Sequence, residues 1–476
     1  SGFNNISDKY IDSISVETLA MEGIRGLSTL DSNVSIVRND ETIELRYRGR
    51  LIRRYPAPPP DDSTKWGSVV ANMTVDAQNF SREIATSSAE ELYEAIFDGS
   101  IGSLDAFSRY AGKSEASDNR AKRDGFGGIG VRFRLNDDRV LITDIMPSTP
   151  AEHAGLRIGD ELTAVDGQPV SGLGNYAIIK MLRGTVGSIV NLVIARPDIN
   201  ALTLSMKRSH IVPSTVVAEI RDSLLYLKIS SFNQGTASSV IKELHHALDP
   251  DNHSQEIKGV VLDLRGNPGG LLKQSIEVAD AFLAHGTILN TSGRHPDSIQ
   301  HYEAAGQDQA LGLPIVVLID GKSASAAEIV AAALQDRERA VVVGTASYGK
   351  GTVQTVVRLP NSGEITLTWS RFMAPSGYTL HGLGVFPVIC TSGSDNDTDT
   401  VLRHAMETYD ATLDTLETWR GTSHRDKADY KDLRSQCPPE QHDGKDDVEI
   451  ARSLIEDGSL YFRALDITSA TAHAVE

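Results

Sequence analysis

Cysteine is scarce: Cys390 and Cys437 are the only two in a chain of 476 residues. Such a pair fits either one disulfide in an oxidising compartment or two buried thiols, and the sequence leaves both readings open. No Cys/His spacing of the zinc type accompanies them, so neither a metal nor any other cofactor is expected. The 13 histidines are scattered, and His245-His246 reads as the solvent-facing side of a polar helix. Positive charge is in short supply too, with 46 Lys and Arg against 64 Asp and Glu and a formal charge of -18. That balance excludes the basic face that nucleic acid wants and argues against an anionic membrane surface. Long apolar runs are missing. Leu311 to Ile319, among the longest, is interrupted by Pro314 and falls far short of the roughly 20 residues of a membrane-spanning helix. No leader is visible. Ser1-Gly2 reads as a cloning scar, with the expectation that a targeting segment preceded it. No internal repeat is found.

What remains is the composition of a soluble globular protein, 40% hydrophobic and 23% charged, on a chain long enough for more than one domain. Residues 8–27 carry apolar positions at helical spacing, Ile36 to Leu51 reads as a hairpin turning at Asn39-Asp40, and the Pro-rich run Tyr55 to Asp62 reads as a loop. Helices are predicted over Trp66 to Ile84 and Ala89 to Phe97, and Lys113 to Asp124, with no apolar period, reads as a boundary. From Phe126 the chain changes to short strands with Gly-rich turns: a strand from Phe126, a second over Val140 to Ile145, a hairpin turning at Asp166-Gly167, an amphipathic helix over Asn175 to Leu182, and Ile189 to Ala195 as the final strand. Strand-helix alternation then runs from Ser223 to Val343, which predicts a layered α/β core with at least partly parallel strands. Beyond it come the β-rich run Ile365 to Phe372, a polar linker over Thr391 to Thr400, and one helix with the stripe Leu402, Met406, Tyr409, Leu413 and Leu416. A loose polar stretch over 421–446 and a short helix over Asp447 to Leu454 follow.

The stretch with most chemical content is Pro314 to Gln354. A charge-free apolar strand, P-I-V-V-L-I, leads into the small-residue turn D-G-K-S-A-S-A-A-E and then an alanine-rich helix; a second strand leads to Y-G-K-G-T-V-Q. Strand, tight turn and helix can hold a serine hydroxyl at a helix N-terminus facing a cleft. On these features alone, the plainer reading is the stronger: Ser325 as an N-cap and Lys350 in an exposed Gly-Lys-Gly loop.

The wider pattern reverses that order. The module at 126–209 resembles a PDZ domain, on Gly128-Ile129-Gly130-Val131 followed by A-G-L-R-I-G-D-E-L, V-D-G-Q-P-V and M-L-R-G-T-V-G. With L-D-A-F-S-R-Y, K-I-S-S-F, D-L-R-G-N-P-G-G, S-A-S-A-A-E, Y-G-K-G-T-V-Q and P-S-G-Y-T-L-H-G-L-G-V-F-P in order from about residue 102 to Pro387, the chain resembles the carboxyl-terminal processing peptidases, or tail-specific proteases. The resemblance implies a multidomain α/β protein: a mostly helical region over 1–112, a PDZ domain over 126–209 inserted ahead of a serine-lysine peptidase core over 210–390, and a linker and helical extension over 391–476. By position it implies Ser325 as nucleophile, Lys350 as general base and Gln354 as the residue orienting the amine. The backbone N–H groups of Gly270 and Ala326 are the implied oxyanion donors. Gly128, Ile129, Gly130 and Val131 are implied as the loop that binds a substrate's terminal carboxylate. Ser323 is expected to be structural, and Glu328 to be a first-turn acid that suits the helix dipole. Two departures, Gly266 within R-G-N-P and Val388 after Pro387, touch no catalytic group.

The implied activity is a serine endopeptidase acting outside the cytoplasm, in a bacterial periplasm or cell envelope, on protein or peptide substrates with free, unstructured C-terminal tails. Room is left for an adaptor protein and for a homo-oligomer. The alternative is a PDZ peptide-binding scaffold with an inactive core, which the intact Ser325, Lys350 and Gln354 speak against. A trypsin-like PDZ protease is disfavoured because no G-x-S-G-G motif occurs.

Overall fold

Five strands lie parallel at the centre of the larger unit: Leu224–Ile229, Gly259–Asp263, Ile315–Ile319, Val341–Gly344 and Ile389–Cys390, hydrogen-bonded in that order. Every residue of Gly259–Asp263, Ile315–Ile319 and Val341–Gly344 is buried, as expected of a parallel sheet covered on both faces. This is why their sequences read as unbroken Val/Ile/Leu runs. Val216–Arg221 adds an antiparallel edge before Leu224–Ile229. The computed structural model describes residues 2–197, 199–252, 256–393, 398–422, 430–441 and 445–469.

The chain divides into two units, one of Ser1–Ser117, Thr215–Phe232 and Thr236–Glu476, the other of Asp118–Ser214 with Asn233–Gly235. In the first, the helices Thr236–Leu248, Leu272–Asp280 and Ala326–Asp336 fall where strand-helix alternation puts them. A second sheet runs Gln300–Ala304, Gly286–Ser292, Glu364–Met373 and Thr352–Arg358, with Arg109–Ala111 also pairing Glu364–Met373. The N-terminal part holds the helices Gly2–Lys9, Val16–Arg25, Ser63–Phe80, Arg82–Thr86 and Ala89–Ile101 around its own apolar cluster. The hairpin predicted at Asn39-Asp40 gains a third strand, Arg50–Pro56, which reaches into the stretch read as loop.

Three further expectations are corrected. Lys113–Asp124 is a helix, not a boundary loop; it buries only Ala116 and Ala121, too few to leave an apolar period. The single C-terminal helix is two, Thr398–Glu407 and Tyr409–Gly421. The stretch read as loose contains the helix Tyr430–Arg434, and the closing helix Lys445–Glu456 is followed by another, Gly458–Ser469. These helices join the sheet's own core: Trp419, Ile450, Leu454 and Ala464 are fully buried in the cluster containing Val261 and Val317. Residues 394–397 of the predicted linker, and 423–429 and 442–444 of the loose stretch, lie outside the described residues.

The smaller unit is a sheet ordered Ile199–Lys207, Ile189–Arg196, Glu161–Val165, Arg139–Ile145 and Val131–Asn136, closed around Ile142, Leu162, Leu192 and the helix Asn175–Leu182. Ile189–Arg196 is therefore not its final strand. Asp166 and Gly167 turn the predicted hairpin at φ 48° and 78°, both in the left-handed region. Val131–Asn136 lies at the sheet's edge; among the described residues no further strand pairs with it.

Candidate active site

The buried strand Ile315–Ile319 ends at Asp320, whose carboxylate Oδ1 accepts the N–H groups of Gly266, Lys322 and Ser323 at 2.9, 3.0 and 3.0 Å. Ser323 Oγ donates to Leu264 O at 2.9 Å and accepts from Asp320 N–H at 2.9 Å. These bonds wind the turn so tightly that Ser325 is held at φ 55°, ψ -113°, immediately before the helix Ala326–Asp336. A non-glycine residue there is strained by about 1–3 kcal/mol, a cost tolerated where the surrounding structure fixes it.

The D-L-R-G-N-P-G-G loop packs against this turn. Asn267 O accepts from Ala324 N–H at 2.9 Å, its side-chain amide donates to Ile229 O at 2.7 Å, and its Oδ1 accepts from Gly269 N–H at 2.8 Å. A Cβ on Gly269 would lie 2.9 Å from Ser325 Cβ and 3.0 Å from Ala326 N, so only glycine permits this approach. Gly270 sits opposite Phe232, with Phe232 N–H on Gly269 O and Leu271 N–H on Phe232 O. Its own N–H points away from that bridge. Among the described residues neither Gly270 N–H nor Ala326 N–H has a hydrogen-bond acceptor.

Glu328 is fully buried and is more than a dipole-matching acid. Its Oε2 accepts from Ser325 N–H at 2.7 Å and Lys350 N–H at 2.9 Å; its Oε1 accepts from Ser347 Oγ at 2.5 Å and Gly349 N–H at 2.6 Å. Burial pushes its carboxyl up from the usual range, while the four donors pull it down. A single carboxylate thus joins the turn carrying Ser325 to the loop carrying Lys350.

Lys350 is half-buried, and burial pushes its amine below the usual value; the positive charge of Arg109 pushes the same way, while Glu328 and Asp105 oppose it. Among the described residues no carboxylate forms an ion pair with it. Its Nζ stands 5.0 Å from the ring centre of Phe107. Phe107 is set by an Asp105 turn, in which the carboxylate accepts from Phe107 N–H and Ser108 N–H at 2.7 and 2.8 Å. Gln354 stands at a bulge in Thr352–Arg358, its amide donating to Thr352 Oγ1 at 2.9 Å.

In the smaller unit, Gly128, Ile129, Gly130 and Val131 form one end of a groove of about 380 Å³, between the edge strand and the helix Asn175–Leu182. Arg132, Phe133, Ile179, Leu182 and Arg183 line the rest. Gly130 has φ 82°, and a Cβ there would meet the Thr149 side chain at 2.4 Å. The guanidinium of Arg183 stacks on Phe126, 4.0 Å from its ring centre.

Sequence reasoning overlooked Phe107, Arg109 and Arg183, and gave Glu328 too small a part. Phe107 and Arg109 lie within L-D-A-F-S-R-Y, a motif recognised without a role; their nearness to Lys350 arises only from pairing of Arg109–Ala111 with Glu364–Met373.

Comparison with known proteins agrees with this architecture. Residues 223–390 match the model of peptidase family S41, and residues 127–207 that of a PDZ domain. The chain is 34% identical over 366 residues to the carboxy-terminal-processing protease of Bartonella bacilliformis, covering 76% of this chain and 81% of that one. It is 33% identical over 315 residues to the carboxy-terminal processing protease CtpB of Bacillus subtilis, covering 64% of each. Among solved structures, the photosystem II D1 C-terminal processing protease is similar at 23% identity and a TM-score of 0.38, over 81% of this chain and 89% of that one. The chain belongs to the carboxy-terminal-processing protease family, the PDZ-containing serine peptidases of family S41. Among the described residues, no helix is long and apolar enough to cross a membrane.

Proposed function

We propose that this protein cleaves other proteins near their carboxyl ends with a Ser325–Lys350 pair. The observation that carries the reading is the shared carboxylate: Glu328 holds the backbones of Ser325 and Lys350 on one oxygen. The neutral amine of Lys350 takes the proton of Ser325 Oγ as that oxygen bonds to the scissile carbonyl carbon. Negative charge builds on the carbonyl oxygen, where the unpartnered N–H groups of Gly270 and Ala326 are donors suited to receive it. When the C–N bond breaks, the proton passes from Lys350 to the leaving amine. A water, deprotonated by the same amine, then releases the acyl group and restores Ser325. Gln354 is assigned to orient the amine without adding charge; a carboxylate in its place would raise the lysine and weaken the base.

The PDZ groove is assigned to the substrate's free C-terminal tail, which adds as a strand to the open edge of Val131–Asn136, its carboxylate on the backbone N–H groups of residues 128–131. The names of the relatives, which describe processing of carboxyl termini, support this substrate class. The Cys390–Cys437 disulfide fits an oxidising compartment outside the cytoplasm.

The test is digestion of an unfolded protein with a free C-terminal tail. Ser325→Ala, Lys350→Ala and Lys350→Arg are each expected to be inactive and folded, because arginine keeps the charge but cannot be neutralised at usable pH. Substantial turnover by Lys350→Arg would mean that another group activates Ser325.

A further inference from the structure

The polar segment 430–441 packs against the turns that lead to Ser325 and Lys350. Tyr430 is buried against Gly382, where a Cβ would lie 3.0 Å from its ring. Arg434 donates from Nη1 to Leu383 O and from Nη2 to Ser347 O, the latter at 3.0 Å. Cys437 is disulfide-bonded to Cys390, the end of the last core strand. Glu440 O accepts from Gly321 N–H at 2.7 Å and from Thr345 Oγ1 at 3.0 Å. This short strap therefore touches the turn that leads to Ser325, the loop that leads to Lys350, and the 382–384 loop beside them.

Ser347 is the point of convergence. Its carbonyl takes the Arg434 guanidinium, while its hydroxyl donates to Glu328 Oε1 and accepts from Val385 N–H at 2.7 Å. Arg434 thus lies one residue from the carboxylate that holds both Ser325 and Lys350. The strap has little apolar grip of its own: Tyr430 and Cys437 are its only buried apolar residues among those described. A segment with so few buried contacts opens easily unless something else restrains it; besides the hydrogen bonds of Arg434 and Glu440, the bond to Cys390 ties it to the core.

We propose that Arg434 is a positioning residue for catalysis, acting through Ser347 and Glu328 on the loop of Lys350, and that the Cys390–Cys437 disulfide keeps it in place. This rests on the Ser325–Lys350 reading. A planar guanidinium reaches the two carbonyls of Leu383 and Ser347 from two nitrogens held apart in a fixed fork, whereas a lysine ammonium would have to serve both from a single nitrogen. Loss of the fork frees the 345–350 loop, so the amine is misplaced during the chemical step while substrate capture at the PDZ groove is untouched.

The experiment measures kcat and KM of the full chain on an unstructured protein with a free C-terminal tail. Arg434→Gln is expected to lower kcat tenfold or more with KM within twofold of wild type. Reducing the disulfide with dithiothreitol, or Cys437→Ser, should do the same, and combining either with Arg434→Gln should add less than a further twofold. Wild-type kcat in a folded Arg434→Gln, or losses that multiply, would overturn the proposal. Should Arg434→Gln not fold by circular dichroism, Arg434→Lys carries the test: partial recovery is expected, and kcat within twofold of wild type would overturn the fork. Lys350→Ala is run beside them. Activity there would defeat the dyad reading, while the coupling between Arg434 and the disulfide would still be read from the other variants.

Discussion

The backbone N–H groups of Ser325 and Lys350, distant in sequence, donate to the same atom, Oε2 of Glu328, at 2.7 and 2.9 Å. The backbones at Ser325 and Lys350 are therefore tied to each other through one buried carboxylate.

Glu328→Gln tests that arrangement. An amide offers one acceptor oxygen and an NH2 group, so two of the four donors would face another donor. Each buried donor left unmatched costs about 1–3 kcal/mol. Thermal denaturation should show a clear loss of stability, and peptidase activity should fall by about 100-fold or more, near the effect of losing a general base. Activity within threefold of wild type would show that the backbone bonds do not position the pair.

The pH dependence follows from Lys350. As the proposed base it acts in its neutral form, so activity is expected to rise with pH through the lowered pKa and then level off. Arg109 contributes to the lowering, so Arg109→Gln should move the rise to higher pH, by less than about one unit because Arg109 is exposed and its field is screened. The same group bears on stability. Between the lowered folded pKa and the usual 10.5, the unfolded chain binds the proton that the folded chain does not, so this group's contribution improves as pH rises through that window. Below it, the folded protein carries the full burden of a partly buried cation. Lys350→Met should remove that dependence along with activity; pH titrations of activity and of denaturant midpoint check both signs.

The two serines of S-A-S-A-A-E should separate by stability as well as by activity. Ser323→Ala leaves Asp320 N–H without its hydroxyl acceptor and should cost about 1–3 kcal/mol while retaining most proteolysis. Ser325→Ala removes proteolysis but keeps the positive φ. Ser325→Gly relieves that strain and should be about 1–2 kcal/mol more stable than Ser325→Ala, and equally inactive. Urea denaturation distinguishes the three.

Tail recognition is checked by binding to full-length Ser325→Ala, which cannot cut the ligand. A peptide with a free carboxylate should bind about 10- to 100-fold more tightly than its amide, the worth of charge-assisted hydrogen bonds at the loop 128–131. Equal affinities would rule out carboxylate reading while leaving the catalytic proposal standing.

The burial of the core strands was legible from local pattern, because apolar runs such as Ile315–Ile319 must be covered on both faces; Ser325 and Lys350 were singled out only by the order of motifs along the chain, their own surroundings reading more simply as an N-cap and an exposed loop. The contacts of Glu328 and Arg434 were not legible. Glu328 looks like any first-turn acid until Ser347, Gly349 and Lys350 fold over it, and Arg434 lies in a polar stretch whose order comes from Leu383, Ser347 and Cys390. The strand Ile199–Lys207 carried a two-residue alternation in Leu202, Leu204 and Met206 that went unread, whereas the helix Lys113–Asp124 offered only two buried alanines and gave no period to find.

The helix Lys445–Glu456 sets Ile455 where a Cβ on Gly259 would meet it at 2.5 Å, and Tyr461 exchanges hydrogen bonds with both backbone groups of Ile315. Both positions lie at the starts of central strands made long before. A ribosome delivers Ser325 and Lys350 only 66 and 91 residues after Gly259, and roughly another hundred must follow before Ile455 and Tyr461 are made. The nascent chain therefore carries Ser325 and Lys350 before the helices that cover the central strands exist, and the contacts of Ile455 with Gly259 and of Tyr461 with Ile315 can close only after residues 445–469 have been made.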